Sequence, residues 1–219
     1  MFDFLGPVDA ISAITLLVVA GFGLFKLIQI YTHKIYLGNK DYVVLRLNPI
    51  SLGKSVDSFI KSIKPPFSFE VSIHQLGKDV SYYLVVPRKR VKELIDTPGV
   101  EEAHEYSVFY STGQHVGAYI KGIETWPDVD LDRIDFSKVN EVGEGVTIQF
   151  LVNKRTRKGN LANLRIAVSA PSSFQANEIM ASLKNSFLKY KVVETSSMEF
   201  LREVSLREFS EKEGMSWQY

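Results

Sequence analysis

Apolar and polar positions alternate with different periods along this chain, and each change of period marks an element. Residues 10–25, AISAITLLVVAGFGLF, carry no charge, and the wider run from Leu5 to Tyr31 holds only Asp9 and Lys26. A helix needs about 20 mainly apolar residues to span the hydrocarbon of a bilayer, so this run predicts a transmembrane helix. Lys26 can lift its ammonium to the headgroups, and Phe22, Phe25 and Tyr31 gather at the same end, as interfacial aromatics do. A cleaved signal peptide would want a basic start and a small-residue cleavage site. MFDFLGPVD is acidic, and no such site follows. A core helix would show a polar stripe, and these turns have none. Asp3 and Asp9 precede the run, whereas His33, Lys34, Lys40 and Arg46 follow it. The positive-inside tendency therefore places the N-terminus outside and the remainder in the cytoplasm, a single-pass protein of the cell membrane.

Downstream, one order of elements is read twice. YVVLRL is β-rich, and Ser51 can cap a helix whose Val56, Phe59, Ile60 and Ile63 share a face. Lys64-Pro65-Pro66 stops that helix. FSFEVSI and VSYYLVV form a hairpin, Pro87 opens a short helix with Val91, Leu94 and Ile95 inward, and VEEAHEYSVF closes the unit as a strand. After the polar break Ser111–Gln114, VGAYIKGIE predicts a strand and DRIDFSKV a weak helix. GVTIQFLV and LANLRIAVS predict a hairpin around NKRTRKGN, and the stripe Ala176, Ile179, Met180, Leu183, Phe187 predicts a long helix. MEFLREVSLREF is expected as the closing strand and EKEGMSWQY as a polar tail. The fold class is α+β: an anchor over residues 1–34, two ferredoxin-like βαββαβ units over 35–112 and 113–209, and a tail over 210–219. One face of each hairpin is expected to be covered by helices and the other wet.

Composition narrows the chemistry. With 26 basic and 25 acidic residues the chain carries a formal charge of +1, so any electrostatic surface must be local. It has no cysteine, which removes disulfides, thiolate metal sites and cysteine nucleophiles. His33, His74, His104 and His115 have no metal-ligand spacing, so neither metal nor cofactor is expected. NPISLGKS, Asn48 to Ser55, ends like a phosphate-binding loop. Such a loop needs glycine where Asn48 stands, and Pro49 removes an amide that would cradle phosphate. The carboxylates of Glu101-Glu102, Asp128-Asp130-Asp132 and Glu141-Glu144 have no histidine or lysine placed to tune them for acid–base work. No catalytic residue is expected. Two basic clusters remain as candidates for contact with phosphate, nucleic acid or lipid headgroups: Arg88, Lys89 and Arg90 at a helix start, and Lys154, Arg155, Arg157 and Lys158 in a hairpin loop. Tyr82 and Tyr83 on a central strand offer a base-stacking alternative, without the glycine–aromatic signature of an RNA-recognition sheet.

The membrane segment, followed by FSFEVSIHQLGKDVSYYLVVPRKRVKELIDTPGVEEAHEY (Phe67 to Tyr106) and then GEGVTIQFLVNKR and LRIAVSAPSSFQANEIMASLKNSFLKY (within Gly143 to Tyr190), resembles the N-terminal region of conjugative, type IV secretion-like motor ATPases. The motor domain of that family, with its phosphate loop and metal-binding acidic strand, has no counterpart in this sequence. The resemblance therefore implies a non-catalytic, membrane-anchored subunit that scaffolds or docks a separate cytoplasmic ATPase. Its partners would be the bilayer, copies of itself and that ATPase. The alternative from the residues themselves is a membrane-tethered module that binds nucleic acid or a ligand.

Overall fold

The computed structural model describes residues 15, 18–24, 42–73, 80–104, 108, 113–123, 134–153, 160–210 and 212–217. The chain divides into two compact units, Met1–Lys40 and Asp41–Tyr219. In the first, residues 18–24 are helical, and Val18, Val19, Phe22 and Leu24 are each between 61% and 66% exposed. Among the described residues no helix is long and apolar enough to cross a membrane.

The second unit is α+β. Nine strands, β1 (Tyr42–Leu47), β2 (Phe67–Ile73), β3 (Ser81–Pro87), β4 (Val100–Ala103), β5 (Gln114–Lys121), β6 (Gly145–Val152), β7 (Asn160–Ala170), β8 (Lys191–Thr195) and β9 (Met215–Trp217), form a single sheet. Its order is β4-β1-β3-β2-β6-β7-β5-β8, and β9 pairs with the start of β7. Every pairing is antiparallel. The order reads the same from either edge: last, first, third, second strand of one half, then second, third, first, last of the other. The two halves meet where β2 runs against β6, from Phe67 opposite Val152 to Ile73 opposite Val146. The midpoint of that seam is Glu70 opposite Gln149.

Helices α1 (Val56–Lys61), α2 (Val91–Ile95) and α3 (Ser173–Asn185) accompany the sheet. Alternation within each strand turns Phe67, Phe69, Val71 and Ile73 to the same face as Val146, Ile148, Phe150 and Val152, and these enter one continuous core. α1 adds Phe59 and Ile60, and α3 adds Ala176, Ile179, Met180 and Leu183, the stripe its sequence spacing requires. α1 starts at Ser55 rather than Ser51, because the Ser55 hydroxyl accepts from Ser58 N at 3.2 Å. A 3-10 turn, Arg88–Arg90, precedes α2.

Four expectations change. MEFLREVSLREF is not a strand: Met198–Leu206 is helix α4, capped by the Ser197 hydroxyl accepting from Phe200 N, with Phe200 and Val204 one turn apart on its buried side. The strand role falls to KVVET, which forms β8. DRIDFSKV makes no helix over its described part, because the Asp135 carboxylate accepts from Ser137 N at 2.9 Å and holds a local turn. Ile134 and Val139 are still buried. The second sheet face is not wet at the seam: Ser68, Glu70, Ser72, Thr147 and Gln149 are all buried. Residues 215–217, in the stretch expected as a polar tail, form β9.

α4 lies on this second face. Phe200 settles over Gly117 of β5 and meets Tyr119 edge-on, with ring centroids 5.1 Å apart. A Cβ at Gly117 would lie 1.9 Å from the Phe200 ring, so only glycine lets the helix approach. Gly117→Ala is expected to destabilise the fold by about 1–3 kcal/mol through overpacking. The cost should shrink sharply in a Phe200→Ala background. Equal costs in both backgrounds, measured by denaturant unfolding, would refute the contact as its cause.

Candidate functional site

Cross-strand registers place Glu101, Arg46, Tyr83, Glu70, Gln149, Arg165 and Tyr119 in one row across the sheet, on the face that carries α4. Arg46 and Glu101 are exposed, whereas Glu70, Gln149 and Arg165 are fully buried. An isolated buried charge would be prohibitive, so its partners decide whether the row can exist. The Glu70 carboxylate accepts from four donors: Ser68 Oγ at 2.8 Å, Gln149 Nε2 at 3.0 Å, and Arg207 Nε and Nη2 at 2.8 and 3.1 Å. Arg165 donates to Gln149 Oε1, Asn163 Oδ1 and the Glu203 carbonyl, each at 3.1 Å, and to the Glu208 carbonyl at 2.6 Å. Its Nη2 also stands 3.4 Å from the Glu203 carboxylate, while Nε finds no acceptor among the described residues. Tyr119 gives its hydroxyl proton to that same carboxylate.

Two of these partners belong to the end of α4. Arg207 is its C-cap and takes a left-handed conformation, φ 55°, the one described non-glycine residue to do so. That turn ends the helix and sends the guanidinium back to Glu70, 137 residues earlier in the chain. Burial first, and then the hydrogen bond to Glu203, push the Tyr119 phenol well above its ordinary value of 10. Burial also pushes the Arg165 guanidinium down, and the Glu203 carboxylate opposes it. Apart from Arg165 Nε, the buried members of this row are paired with one another and with the end of α4, and so fasten α4 across the seam.

The sequence-derived candidates lie elsewhere. Arg88 and Lys89 are exposed in the 3-10 turn after β3, and Arg90 bends inward to donate to the Lys64 carbonyl. Lys154, Arg155, Arg157 and Lys158 lie outside the described residues. The registers relate only the strand ends next to them. Tyr42 pairs with Pro87 and Phe67 with Val152, so the end of β3 and the end of β6 fall on one end of the sheet.

The phosphate-loop-like stretch is a tied turn: Asn48 Oδ1 accepts from Ile50 N at 3.1 Å and from Ser51 N at 3.4 Å, and Gly99 packs against Asn48 and Leu52. Glu144 is buried and ties its own turn, accepting from Asn140 N at 2.8 Å and Glu141 N at 2.9 Å. Asp128, Asp130 and Asp132 lie outside the described residues. Tyr82 stacks on Phe69 toward the helical layer, so only Tyr83 of the pair belongs to the polar row. Among the described residues no three histidine or carboxylate side chains converge as a metal would require.

The buried row escaped the sequence reading because its members stood at the polar positions of alternating strands. A signal was present: Ser68, Ser72, Thr147, Gln149, Asn163 and Ser169 are short or neutral, where a wet sheet face would carry lysine. Comparison of the chain with protein-family models, with curated proteins and with solved structures finds no match.

Arg207→Gly keeps the left-handed turn but strands Glu70, and is expected to cost about 3–5 kcal/mol. Adding Glu70→Gln should recover a large part of that loss in denaturant unfolding. A second expectation concerns alkali. Because the folded state holds the Tyr119 proton more tightly than the ordinary value of 10, its contribution to stability is complete below pH 10 and is lost as pH rises beyond it. Tyr119→Phe should flatten the alkaline limb of the stability profile. An unchanged limb would remove Tyr119 from the account.

Proposed function

We propose that this protein is a non-catalytic, membrane-anchored scaffold, and that its N-terminal segment is a single transmembrane helix holding the sheet unit at the cytoplasmic surface. What carries the reading is the uncharged run of residues 10–25, together with the exposure of Val18, Val19, Phe22 and Leu24 on the helical stretch 18–24. Large apolar side chains left in water would be costly, and a bilayer removes that cost. Two ferredoxin-like units fused edge to edge is the finer reading of the fold. It is supported by the strand order β4-β1-β3-β2 in one half and β8-β5-β7-β6 in the other, with α1 and α3 in the crossover positions that this topology requires.

The particular role follows from the resemblance in sequence to the N-terminal region of conjugative, type IV secretion-like motors: the protein scaffolds or docks a separately made ATPase in a translocation machine. The end of the sheet at Leu47, Gly145 and Ala170 offers a surface for such a protein partner. Val142 there is 78% exposed and Phe174 76%, and Gln175 in the first turn of α3 donates to the Glu141 carboxylate of the loop before β6 at 2.6 Å. Outer strands β4 and β8 offer their edges to further copies of the chain. A nucleic-acid-binding module is the second reading, and it rests on the exposed Arg88 and Lys89.

Anchoring is tested by vesicle flotation followed by alkaline extraction. The full chain should remain with the membrane through both steps. Val18→Asp with Phe22→Asp, each aspartate costing about 3 kcal/mol within a spanning helix, should release it with the sheet unit still folded. Release of the unaltered chain by alkali would reject the anchor. Native mass measurement in detergent, with and without Phe174→Asp, tests the docking role.

A further inference from the structure

The sheet has two chemically different ends. β1 begins at Tyr42, β3 ends at Pro87, β6 ends at Val152, β7 begins at Asn160 and β8 begins at Lys191, all on one end by register. The sequence joining the sheet to the N-terminal segment therefore enters here. Arg88 and Lys89 are exposed at this end, as are Lys64 before β2, and Lys189 and Lys191 around the start of β8. Glu213, at this end, is already bound by Lys121 at 2.5 Å. At the opposite end stand the carboxylates of Asp57, Glu141, Glu144 and Glu199. The charges of the chain are thus unevenly placed along the strand direction, although Glu93 stands on α2 beside the basic residues and Lys54 stands before Asp57.

An apolar side chain accompanies the basic end. Leu188, in the turn between α3 and β8, is 80% exposed and is followed at once by Lys189 and Lys191. Lysines flanking a projecting leucine combine attraction to phosphate with burial in the acyl boundary, the pairing that holds a protein on an anionic bilayer.

We propose that this end of the sheet is a docking surface for anionic lipid headgroups, with Arg88, Lys89, Lys64 and Lys191 neutralising phosphates and Leu188 entering the interface. The surface would fix the tilt of the sheet unit on the membrane that its own anchor provides, and in that respect it rests on the anchor reading. The protein-facing end, with Val142 and Phe174, would then point away from the bilayer. Attraction of this kind weakens with salt, whereas insertion of a spanning helix does not.

The absence of cysteine makes the test direct, since one introduced thiol reports one place. A fluorophore is attached to the full chain at Ser216→Cys on β9, at the basic end, or at Val142→Cys at the other. Each protein is reconstituted into phosphatidylcholine vesicles, with or without phosphatidylglycerol, that carry a headgroup spin label. The Ser216→Cys probe should be quenched when phosphatidylglycerol is present. High salt, or Arg88→Glu with Lys89→Glu in a protein of unchanged unfolding midpoint, should abolish that quenching. The Val142→Cys probe should stay unquenched throughout. Quenching that is independent of phosphatidylglycerol and of the two charge reversals overturns the proposal, as does quenching of the Val142→Cys probe. If the reversals leave the vesicle result intact but abolish retention of a DNA duplex, the surface belongs to nucleic acid and the lipid assignment falls. Failure of the chain to float with phosphatidylcholine alone rejects the anchor. Salt-sensitive quenching that persists with phosphatidylglycerol would uphold the docking surface even then.

Discussion

The sheet unit depends on the pairing of β2 with β6. Without it, two four-stranded sheets would each end in an open edge of unpaired amides and carbonyls, beside cores too small to be comfortable alone. Seven residues of β2 face seven of β6, and the apolar sides of both strands merge into one core under the helices. The other side of the seam brings Glu70 to its midpoint, where it is buried completely. The fold therefore requires something to answer that carboxylate. Arg207 and Gln149 do so, and with them come α4 and the end of the chain. The seam determines where α4 lies, and the buried row determines how firmly.

This arrangement explains how the sheet unit can be rich in buried polar groups. Arg165, Glu203, Tyr119 and Asn163 are paired with one another and with backbone carbonyls, Arg165 Nε excepted. They fix the orientation of a helix. What remains available to partners lies at the two strand ends and along the outer strands.

Much of the strand framework was legible in the sequence, because alternation in FSFEVSI and GVTIQFLV and the α3 stripe obey simple periods. The helical character of MEFLREVSL was missed because Phe200, Leu201 and Val204 also suit a strand at its short length. The capping serine and the helix-spaced pair Phe200 and Val204 held the contrary information. The continuity of the two halves was not legible at all: pairing of β2 with β6 joins residues about eighty positions apart, and no local pattern announces it. For the candidate site, the basic character of Arg88–Arg90 was plain from composition. Its position on the same end as the close of β6 came only from the registers, and the buried row looked like ordinary wet strand positions until α4 covered it.

The long reach from Arg207 to Glu70 has a consequence for synthesis. A ribosome delivers β2 well before the residue that neutralises its central carboxylate, so the nascent unit can pair strands but cannot close its second face until α4 emerges. Closure of the second face then waits on one event, the arrival of a guanidinium in a left-handed turn. A chain cut short of that residue would keep most of its sheet and its helical layer, yet carry an unanswered acid at its centre. Chaperones and proteases act on such loosened surfaces, so the turn that ends α4 is a late checkpoint for the sheet unit.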